Sequence, residues 1–128
     1  FPEERRNQLL MDISSNMKAI ISQRLVRTQD GKGRRAAVEI LLNTPLIAEN
    51  ILKGHFHNLK EIMTKSRELG MQTFDQALFD AYEANVISYE DALRNADSLN
   101  DLRLQIKLNS QRAKSPDLAS GTEHFAIV

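Results

Sequence analysis

The residues best equipped for chemistry are few. Gly31-Lys32-Gly33 joins permissive glycine backbone to an ammonium, two ingredients of a loop that cradles phosphate. Such a loop also needs longer glycine spacing and a Ser or Thr after the lysine; here the spacing is short and no hydroxyl follows. His55 and His57 stand two apart with Glu61 nearby. Metal pairs on a helix are spaced by three or four, and no third ligand is evident, so these residues read as loop histidines. Arg24, Arg27, Arg34 and Arg35 gather positive charge. They either coat an exposed strand edge, where cations discourage stray pairing, or reach a nucleotide or an acidic neighbour. Glu3-Glu4 and Glu90-Asp91 fall in first helical turns, where the helix dipole accounts for them. No Ser-His-Asp arrangement is visible. The absence of cysteine removes thiol nucleophiles, disulfides and thiolate zinc sites.

The elements that must carry these residues are mostly helical. Pro2-Glu3-Glu4 reads as a helix start, and Leu10, Ile13, Met17, Ile20 and Ile21 recur at helical spacing, which predicts a helix over 3–21. Asp30-Gly31 between two strand-like runs predicts a β-hairpin, because glycine accepts positive φ. In its second strand Ala36, Val38, Ile40 and Leu42 alternate with Ala37, Glu39 and Leu41, partly buried on both faces. Thr44-Pro45 is an N-cap followed by proline at the first helical position, and Gly54 ends that helix. Leu59, Ile62 and Met63 form the stripe of a further helix closed by Gly70. Thr73 with Gln76, Ser88 with Asp91 and Ser98 with Asp101 mark three more helix starts. Phe74, Ala77, Leu78, Ala81 and Tyr82 form one buried face; Leu99, Leu102 and Ile106 form another. Leu104 and Leu108 lie off that stripe, as a second apolar edge or as ordinary surface leucines.

The chain has 128 residues, 41% apolar and 27% charged, which suits one domain with a modest core. No apolar run reaches the length of a membrane span. Phe1 is not a usual start residue and leads us to expect a longer or processed chain. Net charge is zero, but residues 1–35 hold eight Lys/Arg against four Asp/Glu, and residues 36–128 hold nine against thirteen. That dipolar pattern suits head-to-tail association, or simply two solvated surfaces of different composition. Neutral charge and few aromatics speak against nucleic acid as a partner. Residues 113–128 lack periodicity and read as a flexible tail, with Phe125-Ala126-Ile127-Val128 a docking peptide or a frayed end.

Several of these runs together carry a family resemblance. Gly70-Met71-Gln72-Thr73-Phe74-Asp75-Gln76-Ala77-Leu78 and Tyr89-Glu90-Asp91-Ala92-Leu93-Arg94-Asn95-Ala96 resemble the helical C-terminal domain of PilT/PilU-type retraction ATPases of type IV pili, within the secretion-ATPase superfamily. Ile21-Ser22-Gln23-Arg24-Leu25 and residues 31–41 resemble the last strands of its RecA-like core; residues 1–6 and 98–103 bound the match. The pattern is nearer the PilU branch. In the PilT branch the helix after the hairpin reads Ala-Ile-Arg-Asn-Leu-Ile-Arg-Glu. Here Ile47 and Ile51 match its isoleucines, and Ala48 and Leu52 replace its arginines.

The resemblance implies a mainly α fold with a small β-hairpin: the end of a RecA-like α/β core in residues 1–43, a helical C-terminal domain in 44–112, and a tail in 113–128. It implies a partner or coupling helix bearing Ile47, Glu49, Asn50, Ile51 and Lys53, and subunit or nucleotide-proximal contacts through Gln23, Arg24, Arg34 and Arg35. It implies a hexameric ring of like subunits on the cytoplasmic side of the inner membrane, with a PilT-like ATPase and the pilus platform as partners. Mg-ATP is the cofactor of the full-length relatives. The Walker A and Walker B segments have no counterpart in this chain, so no cofactor and no catalytic residue is expected in it, and it is expected to be inactive alone. The competing reading is a free-standing helical adaptor without ATPase activity.

Overall fold

The computed structural model describes residues 2–114. The expected docking peptide at 125–128, and all of the expected tail beyond Lys114, lie outside the described residues. In chain order the elements are α1 (Glu3–Asn16), β1 (Ala19–Arg27), β2 (Arg34–Leu42), α2 (Pro45–Leu52), α3 (Leu59–Lys65), α4 (Phe74–Glu83), α5 (Tyr89–Arg94) and α6 (Leu99–Asn109). Short 3₁₀ turns occupy Phe56–Asn58 and Arg67–Leu69. The fold is mainly α, and its two strands form an antiparallel hairpin.

The first helix is shorter than its apolar spacing predicts. It ends at Asn16, and Ile20 and Ile21 lie in β1. Ser14, Ser15 and Asn16 are poor helix formers because their side chains compete for backbone groups. Ser14 does so, donating its hydroxyl to the Met11 carbonyl at 2.9 Å. Met17 then turns extended, and the Asn43 side-chain amide donates to the carbonyls of Ser14 and Met17 at 3.0 and 2.7 Å. Beyond that stop, β-branched isoleucines favour a strand that can pair with Arg34–Leu42.

Two compact units share the chain, and the hairpin runs through both. Among the described residues, one comprises 2–23 and 38–73; the other comprises 24–37 and 74–114. In the first, α1 packs on α2 around Leu41, Ile47, Ile51, Met63 and Met71. Gln72 bridges to β2: its amide and carbonyl pair with Ile40 at 3.0 and 2.8 Å, and its side chain donates to the Val38 carbonyl at 2.7 Å. The helix expected to run up to Gly70 ends at Lys65. The Ser66 carbonyl accepts from both Leu69 and Met71, which tightens the chain into a 3₁₀ turn, and Gly70 closes it at φ +101°.

In the second unit, Val26, Ala37, Phe74, Leu78, Tyr82, Ile87, Ala92, Leu102 and Ile106 make the core. Ser88 and Ser98 cap α5 and α6 as their spacing predicts, accepting from the amides of Asp91 and Asp101. Thr73 and Gln76 are both buried. Asp75 adds support that no local pattern announces: its two oxygens accept from the amides of Asp97 and Ser98, at 2.8 and 3.1 Å, just before α6. Leu99 departs from the expected buried stripe and is 42% exposed. It occupies the first position of α6, one turn short of the layer that Leu102 and Ile106 fill. Leu104 and Leu108 are exposed.

Candidate functional site

The helix singled out for coupling is built by its cap. Thr44 accepts from the Ile47 amide and Pro45 pre-sets the first turn, so α2 starts at a defined rotation. That rotation turns Ile47 and Ile51 inward, where both are almost fully buried. Asn50 is also buried. Its amide donates to the Leu46 carbonyl at 2.8 Å, and its oxygen accepts from Asn58 at 3.1 Å. The outward residues are Glu49 and Lys53, joined at 2.7 Å across one turn, with Leu46 and Leu52 exposed beside them. The Lys53 hydrogen bond, then its charge, hold the Glu49 carboxyl below its ordinary value. The five named residues therefore divide: Ile47, Asn50 and Ile51 hold the helix in place, and Glu49 and Lys53 face solvent. Beside α2, a cleft of about 420 Å³ lies between Leu46, Asn50, Asn58, Glu61, Ile62 and Lys65.

The four hairpin residues singled out also divide. Gln23, Arg34 and Arg35 are exposed. Arg24 is engaged within its own unit: it pairs with Asp97 at 2.8 Å, donates to the Asn95 carbonyl at 2.9 Å and lies 4.1 Å from the centre of the Phe74 ring. Its partners come fifty to seventy-three positions later in the chain, so no local reading could supply them. Arg27 is exposed at the end of β1.

The turn that joins the strands does not fit a phosphate loop. The Gly31 amide donates to the Thr28 carbonyl at 2.9 Å, the Lys32 amide to Asp30 Oδ1 at 2.9 Å, and the Gly33 amide to Thr28 Oγ1 at 3.1 Å. These donors close the turn and are not available to cradle a phosphate. Asp30 is held below its ordinary pKa by the Lys32 amide first and the Thr28 hydroxyl second. The segment thus fits a hairpin turn and does not fit a nucleotide's phosphate cradle, and no step of ATP chemistry is assigned to it. His55 precedes a 3₁₀ turn and His57 lies within it, with ring centres 6.1 Å apart, and no group of metal-binding side chains forms among the described residues.

Sequence reasoning missed a clasp after α6. Arg112 donates to the carbonyls of Tyr82 and Ile87, each at 2.8 Å, and to the Gln29 side chain. Glu83 accepts from the Ser110 hydroxyl and from the amides of Gln111 and Arg112. Burial pushes the Glu83 carboxyl up. The Ser110 hydroxyl, the two amides and the Arg112 charge outweigh that and hold it below its ordinary value. Burial is also the main cause that raises the Tyr82 hydroxyl, against the lowering charge of Arg112. No spacing rule links residues so far apart, and the only local signal is a buried serine after the last helix.

Comparison with known proteins adds to this geometry. No family model matches the chain. It is 60% identical over 127 residues to the type IV pilus ATPase PilU of Pseudomonas aeruginosa, which covers 99% of this chain and 33% of that protein. It is 32% identical over 96 residues to the type IV pilus retraction ATPase PilT of the same organism, covering 75% of this chain and 28% of that protein. Among solved structures it is similar to the pilus retraction motor PilT with bound ADP. That likeness has a TM-score of 0.70 and 28% identity, over 81% of this chain and 28% of that one. The chain spans about a quarter to a third of the length of the curated relatives it matches.

Proposed function

Because the chain belongs to the PilT/PilU family of type IV pilus ATPases, of which it spans about a quarter to a third, we propose that it is the C-terminal part of a pilus retraction ATPase. In this reading it contributes subunit contacts and coupling, and ATP hydrolysis is carried by other parts of the motor. The 60% identity to PilU along nearly the whole chain carries this reading. The committed amides of the hairpin turn support the division of labour, since they leave no phosphate cradle in residues 31–33.

Residues 1–43 close the RecA-like core in this reading, and residues 44–112 form the helical domain. Its partners are like subunits in a hexameric ring, a PilT-like ATPase and the inner-membrane platform of the pilus, on the cytoplasmic side. Mg-ATP serves the full-length motor. Among the described residues no helix is long and apolar enough to cross a membrane. Within α2, Ile47 and Ile51 set the helix and the Glu49–Lys53 pair presents the contact. An exposed pair of this kind adds little to stability, so its removal reports on contacts more than on folding.

The test is twitching in cells whose own copy carries Glu49→Ala with Lys53→Ala. We expect reduced motility at an unchanged protein level. Normal motility would remove the coupling role from this pair. Magnesium-dependent ATP turnover by the purified 128-residue chain would overturn the division of labour.

A further inference from the structure

Beside the hairpin turn lies a cleft of about 460 Å³ that neither the fold nor the proposed coupling helix explains. Its lining brings together Arg27, Lys32, Arg34 and Arg94, with Asp91 and Leu25 among the rest. Arg27, Lys32 and Arg34 have no ion-pair partner among the described residues. The acids that could neutralise them are occupied. Asp91 receives Arg94 at 3.2 Å on one oxygen and the Ser88 hydroxyl at 3.2 Å on the other. Asp30 is spent inside the turn on Thr28 and the Lys32 amide. Three uncompensated cations thus face one concave space, at a self-repulsion that an anion in the cleft would relieve.

We infer that this cleft is a side-chain-built binding site for a multiply charged phosphoryl anion. A single carboxylate would leave two of the three cations unmatched. A phosphoryl group brings close to two charges and three strong acceptor oxygens. Arginine meets it with two parallel donors, and lysine meets it as a point charge. The turn amides are already committed, so recognition rests on the side chains alone and differs in kind from a P-loop. The lining holds no aromatic ring, and Leu25 is its one large apolar side chain, so the site reads a charged head and leaves any base or acyl chain outside. The volume lies within the range of small-ligand sites, about 300–1,000 Å³. The head can come from a soluble diphosphate or from an acidic phospholipid. This site requires neither the ring nor ATP turnover, so it stands or falls apart from the coupling role.

The test uses the 128-residue chain, with inorganic pyrophosphate as one probe and vesicles of phosphatidylglycerol in phosphatidylcholine as the other. Amide resonances of Gly31, Gly33 and Asn95 are followed by NMR during the pyrophosphate titration; co-sedimentation reads the vesicles. Saturable binding to either probe is expected, weakening steeply with salt. Arg27→Gln alone and Lys32→Gln with Arg34→Gln should each weaken it about tenfold or more, as loss of a charge-assisted hydrogen bond does. Arg103→Gln, exposed on α6 and outside the cleft, should leave it unchanged. Binding to pyrophosphate assigns a soluble source, and binding to vesicles alone assigns a lipid headgroup. Absence of binding to both probes, equal binding by the Arg27→Gln chain, or equal binding of succinate would each overturn the assignment.

Discussion

The guanidinium of Arg112 lies 4.3 Å from the centre of the Tyr82 ring while the same group donates to the Tyr82 carbonyl at 2.8 Å. One side chain therefore grips both the face and the backbone of a residue thirty positions earlier. A third bond, to the Ile87 carbonyl at 2.8 Å, ties the turn after α4 to the same point. The turn needs such a tie, because it contains Asn85 at φ +62°, a conformation most residues resist.

Removing that grip should loosen the second unit. Arg112→Ala takes a donor from the Ile87 carbonyl, leaves the Tyr82 carbonyl with the Asn85 amide alone and strips a ring of its cation, a loss of about 2–3 kcal/mol. Arg112→Lys should recover only part of it, since a point charge cannot meet two carbonyls as a planar fork does. Both tyrosines of the chain, Tyr82 and Tyr89, lie in this unit, so the near-ultraviolet tyrosine signal during urea unfolding reads it selectively. An unchanged midpoint in Arg112→Ala would contradict the clasp.

Acid should act through Glu83. Its folded-state pKa is depressed below the ordinary 4.5, chiefly against burial and in favour of the Ser110, Gln111 and Arg112 donors. A depressed carboxyl contributes stability above its unfolded value and loses it as pH falls through its folded value. The wild-type chain should therefore lose stability on acidification below about pH 4.5. Glu83→Gln should be weaker at neutral pH and show a shallower acid dependence. Parallel stability–pH curves for the two chains would exclude Glu83 as the source.

Leucines of one composition should behave in opposite ways. Leu78 is fully buried at the centre of the second core, and Leu78→Ala should cost about 2–5 kcal/mol, the removal of methyl groups plus the cavity left behind. Leu104 is 54% exposed on α6, and Leu104→Ala should stay within about 0.5 kcal/mol. Comparable losses at both positions, read by the same tyrosine signal, would mean that Leu104 is covered in solution.

Much of the local architecture was legible in the residues. Thr44-Pro45, Ser88 and Ser98 announce helix starts because a side-chain oxygen two or three residues ahead of an orphan amide is a purely local device. The hairpin forms as predicted for a similar reason, since Asp30-Gly31 sets the turn and alternation sets the faces. Helix α2 was legible as an element, whereas its division into inward Ile47, Asn50 and Ile51 and outward Glu49 and Lys53 followed from packing. Which partners Arg24 meets was not legible, since they lie far along the chain.

By itself, then, the sequence determined the capped helices, the hairpin turn and the family to which the chain belongs, because caps, turns and matched motifs are short-range or directly compared. Tertiary structure decided where α1 yields to β1, since Ile20 and Ile21 satisfy helical spacing as well as strand propensity and only pairing with the second strand separates the two. It also decided that Leu99 stays outside while Leu102 and Ile106 go in, and that Arg112 and Glu83 meet partners twenty-five or more positions away. Such choices depend on which surfaces the folded chain brings together, and periodicity carries no record of that distance.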